Sequence, residues 1–260
     1  MSTRARRFRA EVVDRRPLSD HLVRLELAGQ GLAGFASTGV PDEWVGLIVP
    51  GQFQSRYYTV RSWSGGRLTL DVVIHESGLV TEWAARDCVG EQVEVTEPRG
   101  SFAMPDSARW LLLVGDLTAL PAMARITETY ADTGPPLTVW AEVPDDLPGY
   151  LPEGVDVRWL RPPSEGHSDL AEVVSGIEWP EDDGYFWMAG ESAQMRSIRK
   201  FLMRERGLPS SAYDVMGYWR SVTRRQPRSV DPGPIWRAGK AAGKSDEQIW
   251  AEYDAARGAD

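Results

Sequence analysis

The first hundred residues alternate apolar and polar positions. Val23, Leu25 and Leu27 alternate with charged neighbours in HLVRLEL, and the segment RLTLDVVIH follows the same rule. A period of two places successive side chains on opposite faces of a strand, so that one face is buried and the other meets solvent. Several such segments, separated by turn residues, predict an antiparallel barrel or sandwich over residues 1–105.

The pattern changes after Pro105. WLLLV is a continuous apolar run ending at Gly115, and apolar residues then recur at helical spacing over 122–130. LTVWAEV, VDVRWL and YFWMA predict three further strands buried on both faces, the last of which breaks at Gly190 into a second helix. Alternation of strand, turn and helix predicts an α/β domain with a parallel sheet over residues 106–220.

Residues 221–260 lose this alternation. The prolines of SVTRRQPRSVDPGP, among them Pro232 and Pro234, predict an extended tether. Ser245 and Gln248 have the spacing of a capping box, which predicts a short C-terminal helix. The apolar side of that helix would hold Ile249, Trp250 and Tyr253.

Composition narrows the class of protein. The formal net charge of −9 and the pI of about 5.0 argue against a nucleic-acid partner. The single Cys88 cannot form an internal disulfide, and no stretch approaches the roughly 18 apolar residues that span a bilayer. We expect a cytoplasmic monomer or homodimer, and the absence of a His and carboxylate cluster predicts no bound metal.

The hexapeptide RYYTVR, residues 56–61, supplies the groups that a flavin needs at the end of a strand. The Arg56 guanidinium can pair with a phosphate, and Tyr58, two residues on, can cover a ring from the same face. The Thr59 hydroxyl can reach the reactive N5 edge. A plain strand with an exposed arginine and core tyrosines has the same pattern, so both interpretations stay open.

Three turns add weaker indications. HESGLVTEW enters a predicted helix at Gly78, where backbone amides can bind a diphosphate, although Ser77 or Thr81 could simply cap the helix. GDLTALP and AGES follow buried strands, where open α/β sheets bind ligands, and Thr118 can hydrogen-bond a nucleotide. No GxGxxG is present, so the ordinary dinucleotide fingerprint is absent. As a pair the two turns predict a nucleotide pocket.

Taken in order, RxYTxR, HxxGxxxxW, GDxTALPA, AGE and GYWR resemble the siderophore-interacting proteins over residues 8 to about 220. The resemblance implies a ferredoxin-reductase-like architecture, in which a six-stranded antiparallel FAD barrel precedes an NAD(P)H-binding α/β domain. It implies FAD as cofactor, NADH or NADPH as electron donor, and a ferric siderophore or other ferric chelate as the substrate from which Fe(II) is released.

The resemblance also implies site residues, without assigning a catalytic one. Those expected to contact FAD are Arg56, Tyr57, Tyr58, Thr59, Arg61, His75, Gly78, Leu79, Val80, Thr81 and Trp83. Those expected on the nicotinamide side are Asp116, Thr118, Ala119, Ala189, Gly190, Glu191 and Trp219. Tyr218 would help to close the site near the flavin, and Arg125 and Arg220 are expected to face the substrate.

Three departures from the family pattern keep other functions open. Leu117 stands where many members have glutamate, Leu79-Val80 replaces Pro-Ala, and Gly46 stands where members often place a lysine of the substrate pocket. A flavin reductase or diaphorase serving another acceptor or a partner protein is one alternative. A flavin- or siderophore-binding module with little turnover is another.

The choice between NADH and NADPH also stays open, because candidate charges of both signs follow the predicted sheet. Acidic residues that would repel a 2′-phosphate are Glu142, Asp145 and Asp146, and basic residues that would attract one are Arg196 and Arg199.

Overall fold

The computed structural model describes residues 6–52, 54–75, 78–164, 167–220, 232–245, 248–249 and 252. Six antiparallel strands close into a barrel in the order β1-β2-β5-β4-β3-β6. The strands are β1 (Arg7–Pro17), β2 (Leu22–Ala28), β3 (Trp44–Ile48), β4 (Arg56–Ser64), β5 (Arg67–Val73) and β6 (Gln92–Thr96), with α1 (Leu79–Ala85) between β5 and β6. Alternate residues, such as Leu25, Val60 and Leu70, are fully buried inside it. The predicted barrel is confirmed.

A five-stranded parallel sheet follows, in the order β11-β10-β7-β8-β9. Its elements are β7 (Leu111–Asp116), α2 (Leu120–Tyr130), β8 (Leu137–Glu142), β9 (Asp156–Leu160), α3 (Leu170–Gly176), β10 (Tyr185–Glu191), α4 (Ser192–Arg204) and β11 (Tyr213–Trp219). Every residue of β7 and β10 is buried, because helices or the barrel cover both faces of these inner strands. The predicted α/β domain is confirmed.

Two strands differ from expectation. VDVRWL was expected to be buried on both faces, but β9 lies at the edge of the sheet, and Trp159 is 46% exposed. An apolar run does not distinguish an inner strand from an edge strand, because that distinction depends on how many neighbours the sheet supplies. β11 forms the opposite edge and was not predicted as a strand, although its last residues belong to the GYWR motif.

The C-terminal segment also differs in part. α5 (Pro232–Ala241) begins where an extended tether was expected to continue through Pro234. Proline is tolerated in the first turn of a helix, where its missing N–H would be unpaired in any case. Further on, Ser245 and Gln248 form the predicted reciprocal capping bonds, and Ile249 is buried against Gly239 of α5. Residues 221–231, Trp250 and Tyr253 lie outside the described residues.

Buried carboxylates join the barrel to the sheet. Asp42 accepts hydrogen bonds from the backbone of Ser101 and Phe102 and lies 3.4 Å from the indole nitrogen of Trp187 on β10. The neighbouring Glu43, which is also fully buried, pairs with Arg125 of α2 at 3.0 Å. These contacts tie β10 and α2 to the segment that precedes β3. Within the described residues, no helix is both long and apolar enough to cross a membrane.

Candidate functional site

The beginning of β4 combines an exposed cation, a half-buried ring and a buried hydroxyl. Arg56 and Tyr57 are exposed, whereas Tyr58 packs against the barrel core, and burial raises the pKa of its phenol above the ordinary range. Thr59 is 5% exposed, and its Oγ1 has no hydrogen-bond partner among the described residues. A buried hydroxyl without a partner is unusual in a folded protein. Thr59 is therefore a group that a ligand could satisfy.

The turn before α1 lies beside this strand, since β4 pairs with β5. Gly78 starts the turn, and His75 is exposed beside it, with its Cε1 3.3 Å from where a Cβ on Gly78 would lie. The Thr81 hydroxyl accepts the His75 N–H at 2.8 Å, so its side chain already holds the turn together. Val80 and Trp83 are buried in the barrel core, which gives both a packing role. Ser77 lies outside the described residues.

Two arginines that were expected to contact ligands connect the two domains. The Arg61 guanidinium donates two hydrogen bonds to Glu128 of α2, at 2.9 and 2.5 Å. Arg125, whose side chain is only 17% exposed, donates to Glu43 and to the carbonyl of Val60 at 2.8 Å. These contacts fix α2 against β4. Neither contact depends on a ligand.

The turn after β7 is organised around Asp116. Its carboxylate accepts the Thr118 N–H at 2.9 Å, the Thr118 hydroxyl at 2.5 Å and the indole N–H of Trp219 at 2.6 Å. Burial raises the pKa of the Asp116 carboxyl, while these hydrogen bonds oppose the rise. Ala119 is fully buried at the start of α2. Asp116, Thr118, Ala119 and Trp219 thus lie together, and their role in a nucleotide pocket stays a prediction.

The turn after β10 meets the same carboxylate. Ala189 is fully buried, and a Cβ on Gly190 would lie 2.6 Å from Oδ2 of Asp116, so glycine is required there by close approach. Glu191 is 6% exposed and accepts the Ala193 and Gln194 N–H groups at the start of α4. The two predicted turns therefore share one edge of the sheet.

Most of the charged side chains that could repel or attract a 2′-phosphate already form hydrogen bonds or ion pairs within the protein. Glu142 is buried and accepts the Asp169 N–H before α3, and burial raises the pKa of its carboxyl. Asp145 pairs with His21, and Asp146 pairs with Arg161. The Arg199 guanidinium donates to the backbone of β11. Arg196 and Arg220 are exposed.

Several groups at the junction escaped the sequence patterns. Asp42 and Glu43 precede β3 as an ordinary acidic pair, and nothing local shows that both are buried. Ser192, which donates to the carbonyl of Trp219 at 2.7 Å, holds β11 to the turn after β10. The described residues contain no cluster of three or more His, Cys, Asp and Glu side chains placed to hold a metal ion.

A closed antiparallel barrel followed by an open parallel sheet defines the ferredoxin-reductase-like fold. The ferredoxin reductase in carbazole 1,9a-dioxygenase shares this fold with a TM-score of 0.66, although it is 17% identical, over 84% of this chain and 71% of that chain. The chain therefore has a ferredoxin-reductase-like fold.

Two family models identify the family. The siderophore-interacting protein model matches residues 108–222, and the siderophore-interacting FAD-binding domain model matches residues 51–102. A siderophore utilization protein from T. fusca is 30% identical, with a TM-score of 0.73 over 87% of this chain and 95% of that chain. The NADPH-dependent ferric-chelate reductase of Escherichia coli is 26% identical over 76% of this chain and 87% of its own length. The chain belongs to the siderophore-interacting protein family.

Proposed function

We propose that this protein is an FAD-dependent NAD(P)H:ferric-siderophore oxidoreductase that reduces bound Fe(III) to Fe(II). The observation that carries the proposal is the unpaired, buried Thr59 hydroxyl beside exposed Arg56 and half-buried Tyr58. Cation, ring and hydroxyl are the groups that a flavin's phosphate, ring and N5 edge require. The match of this segment to a siderophore-interacting FAD-binding domain supports the same cofactor.

The described residues fit FAD. Arg56 would hold the diphosphate together with the backbone amides of the turn at 78–81, Tyr58 would cover the isoalloxazine, and Thr59 would face N5. When bound, FAD supplies the redox chemistry, since it can accept a hydride and release electrons singly. The side chains then need only to bind, orient and shield the reactants. Iron would stay on its chelator as part of the substrate.

The sheet edge would receive the nicotinamide. Thr118, Ala119, Trp219 and the turn at 189–191 would line that pocket, and exposed Arg220 would face an anionic chelate. Arg125 would act indirectly, because its guanidinium is already paired with Glu43 and ties α2 to β4. The acidic side chains that could repel a 2′-phosphate are already paired within the protein, and Arg196 is exposed. Both NADH and NADPH are therefore retained as donors.

The test is an absorbance spectrum of the purified protein, recorded anaerobically during additions of NADH or NADPH and then of a ferric siderophore. We expect oxidised-flavin bands that bleach with the nucleotide and return with the chelate. A protein that binds no flavin after reconstitution with FAD would contradict the proposal. Bleaching without return would show that the chelate is not the acceptor.

Gly46 favours a second candidate, a flavin reductase that uses a different acceptor. Gly46 lies opposite Tyr57 in the β3–β4 pair, and a Cβ there would lie 2.9 Å from the Cβ of Ser55 and 3.1 Å from Cγ2 of Thr96. A lysine therefore does not fit without movement of these neighbours. Comparing ferric siderophores with quinones and ferricyanide in steady-state NAD(P)H oxidation distinguishes the two enzymes. No oxidation with any acceptor would leave a binding module.

A further inference from the structure

Two buried hydroxyl groups without partners lie where the barrel meets the sheet. One is Thr59 on β4, and the other is Tyr218 on β11. Neither oxygen is exposed to solvent, and neither makes a hydrogen bond of normal geometry within the described residues. Burying an unpaired hydroxyl opposes folding, so two of them at one place call for an explanation.

The two hydroxyls occupy the same dry environment. Burial raises the pKa of the Tyr218 phenol, the charge of Asp42 adds to the rise, and the Thr59 hydroxyl opposes it. The Tyr218 ring packs edge-on against Trp187, with ring centroids 6.4 Å apart. This packing explains why an aromatic ring is present at position 218. It does not explain the hydroxyl, because a phenylalanine would make the same ring contact.

We propose that the Tyr218 hydroxyl joins the Thr59 hydroxyl in binding the N5 edge of the flavin, so that one cofactor edge is held by both domains. The inference rests on the proposed FAD function. The N5 edge accepts a hydrogen bond when oxidised and donates one when reduced, and a hydroxyl can do either. A pair of hydroxyls can therefore stay hydrogen-bonded in both states, with Tyr218 orienting Thr59.

Substitutions that remove each oxygen but keep its shape provide the test. Tyr218→Phe and Thr59→Val, made singly and together in the full chain, are compared in two measurements. Without FAD, each should raise the melting temperature by about 2–4 °C, because an unpaired polar group is removed. In a fluorescence titration with FAD, each should weaken binding roughly 2- to 12-fold, the effect of one lost hydrogen bond.

The combined variant should lose less FAD affinity than the product of the two single losses, because both hydroxyls act on one cofactor edge. Tyr213→Phe, on the same strand, is the matched control and should leave FAD binding unchanged.

The outcomes separate the two proposals. A wild-type protein that binds FAD, and a Tyr218→Phe protein that binds it equally well, would overturn this inference and leave the proposed function standing. A melting temperature that falls in Tyr218→Phe without FAD would assign the hydroxyl a structural role, which also overturns the inference. A wild-type protein that binds no FAD would overturn both.

Discussion

The beginning of β4 and the carboxyl edge of the parallel sheet differ in whether their buried polar groups have hydrogen-bond partners. On the barrel, Arg56 is exposed, and the Thr59 hydroxyl is buried with no partner in the part of the chain that the structure describes. On the sheet, Asp116, Glu142 and Glu191 are all buried, and each accepts an N–H at or just before the start of a helix. On the barrel the Thr59 hydroxyl thus lacks a partner, whereas the buried carboxylates of the sheet edge are hydrogen-bonded to neighbouring backbone groups.

This difference bears on how tightly each ligand is held. Backbone N–H groups at helix N-termini are the usual binding site for nucleotide phosphates. At the sheet edge, carboxylates already occupy such groups, so a nucleotide has to compete with the protein's own hydrogen bonds. We therefore expect FAD to bind durably and the nicotinamide nucleotide to bind weakly and leave readily. Such behaviour suits a cofactor and a consumed donor respectively.

The largest effect should come from Arg56→Ala on the barrel. Loss of a charged hydrogen bond to phosphate should weaken FAD binding by about 1.5–3 kcal/mol, roughly 10- to 150-fold. Stability without FAD should change by less than about 0.5 kcal/mol, because Arg56 is an exposed residue. Arg67→Ala, an equal change of charge on β5, is the control for FAD titration. Equal loss of affinity in both variants would remove the proposed role of Arg56.

Gly190→Ala should show the reverse pattern at the sheet edge. The added Cβ would lie 2.6 Å from Oδ2 of Asp116, and such overpacking typically costs about 1–3 kcal/mol in the free energy of unfolding. Urea denaturation should report this loss, while FAD affinity stays unchanged. Gly176→Ala is the control, because a Cβ there meets no other atom within 4 Å. An unchanged unfolding midpoint in Gly190→Ala would show that the Asp116 carboxylate can move away from the added Cβ at little cost.

Glu191→Ala tests the pairing itself. Loss of the acceptor for Ala193 N–H and Gln194 N–H should cost about 0.5–2 kcal/mol, as for other helix caps. Glu191→Gln keeps an acceptor oxygen and should lose less. The free energy of unfolding from urea titrations distinguishes the two variants. If both lose equally, the carboxylate's charge rather than its hydrogen bonds stabilises the turn.

Local patterns predicted most of the fold because burial imposes a period on each element. The barrel strands alternate apolar and polar residues, and the inner strands β7 and β10 are apolar up to their last two residues. The sequence therefore shows whether one face or both faces of each strand are buried. The sequence pattern does not show whether a strand lies at the edge of the sheet. β9 was expected to be fully buried, and β11 was not predicted as a strand.

The site was predictable where its residues are neighbours in sequence and hidden where they pair over long distances. Asp116 with Thr118, and the turn at 189–191, fall within recognisable motifs. By contrast, Arg125 pairs with Glu43, which is 82 residues away in the sequence, and Arg61 pairs with Glu128, which is 67 residues away. Nothing in the segment around either arginine shows its ion-pair partner. Their predicted contacts with FAD and substrate stay predictions.

The smallest effect should be the pH dependence contributed by Asp116. Burial raises the pKa of its carboxyl above 3.8, so the folded protein holds this proton more tightly than the unfolded chain does. This contribution to stability is present below pH 3.8 and is lost as pH rises through the raised pKa. Asp116→Asn cannot titrate, so its melting temperature should fall less than that of the wild type over this range. Asp156→Asn, an exposed change on β9, should follow the wild type. If Asp116→Asn also follows the wild type, the hydrogen bonds from Thr118 and Trp219 offset burial completely, and the sheet edge is even more fully paired with itself.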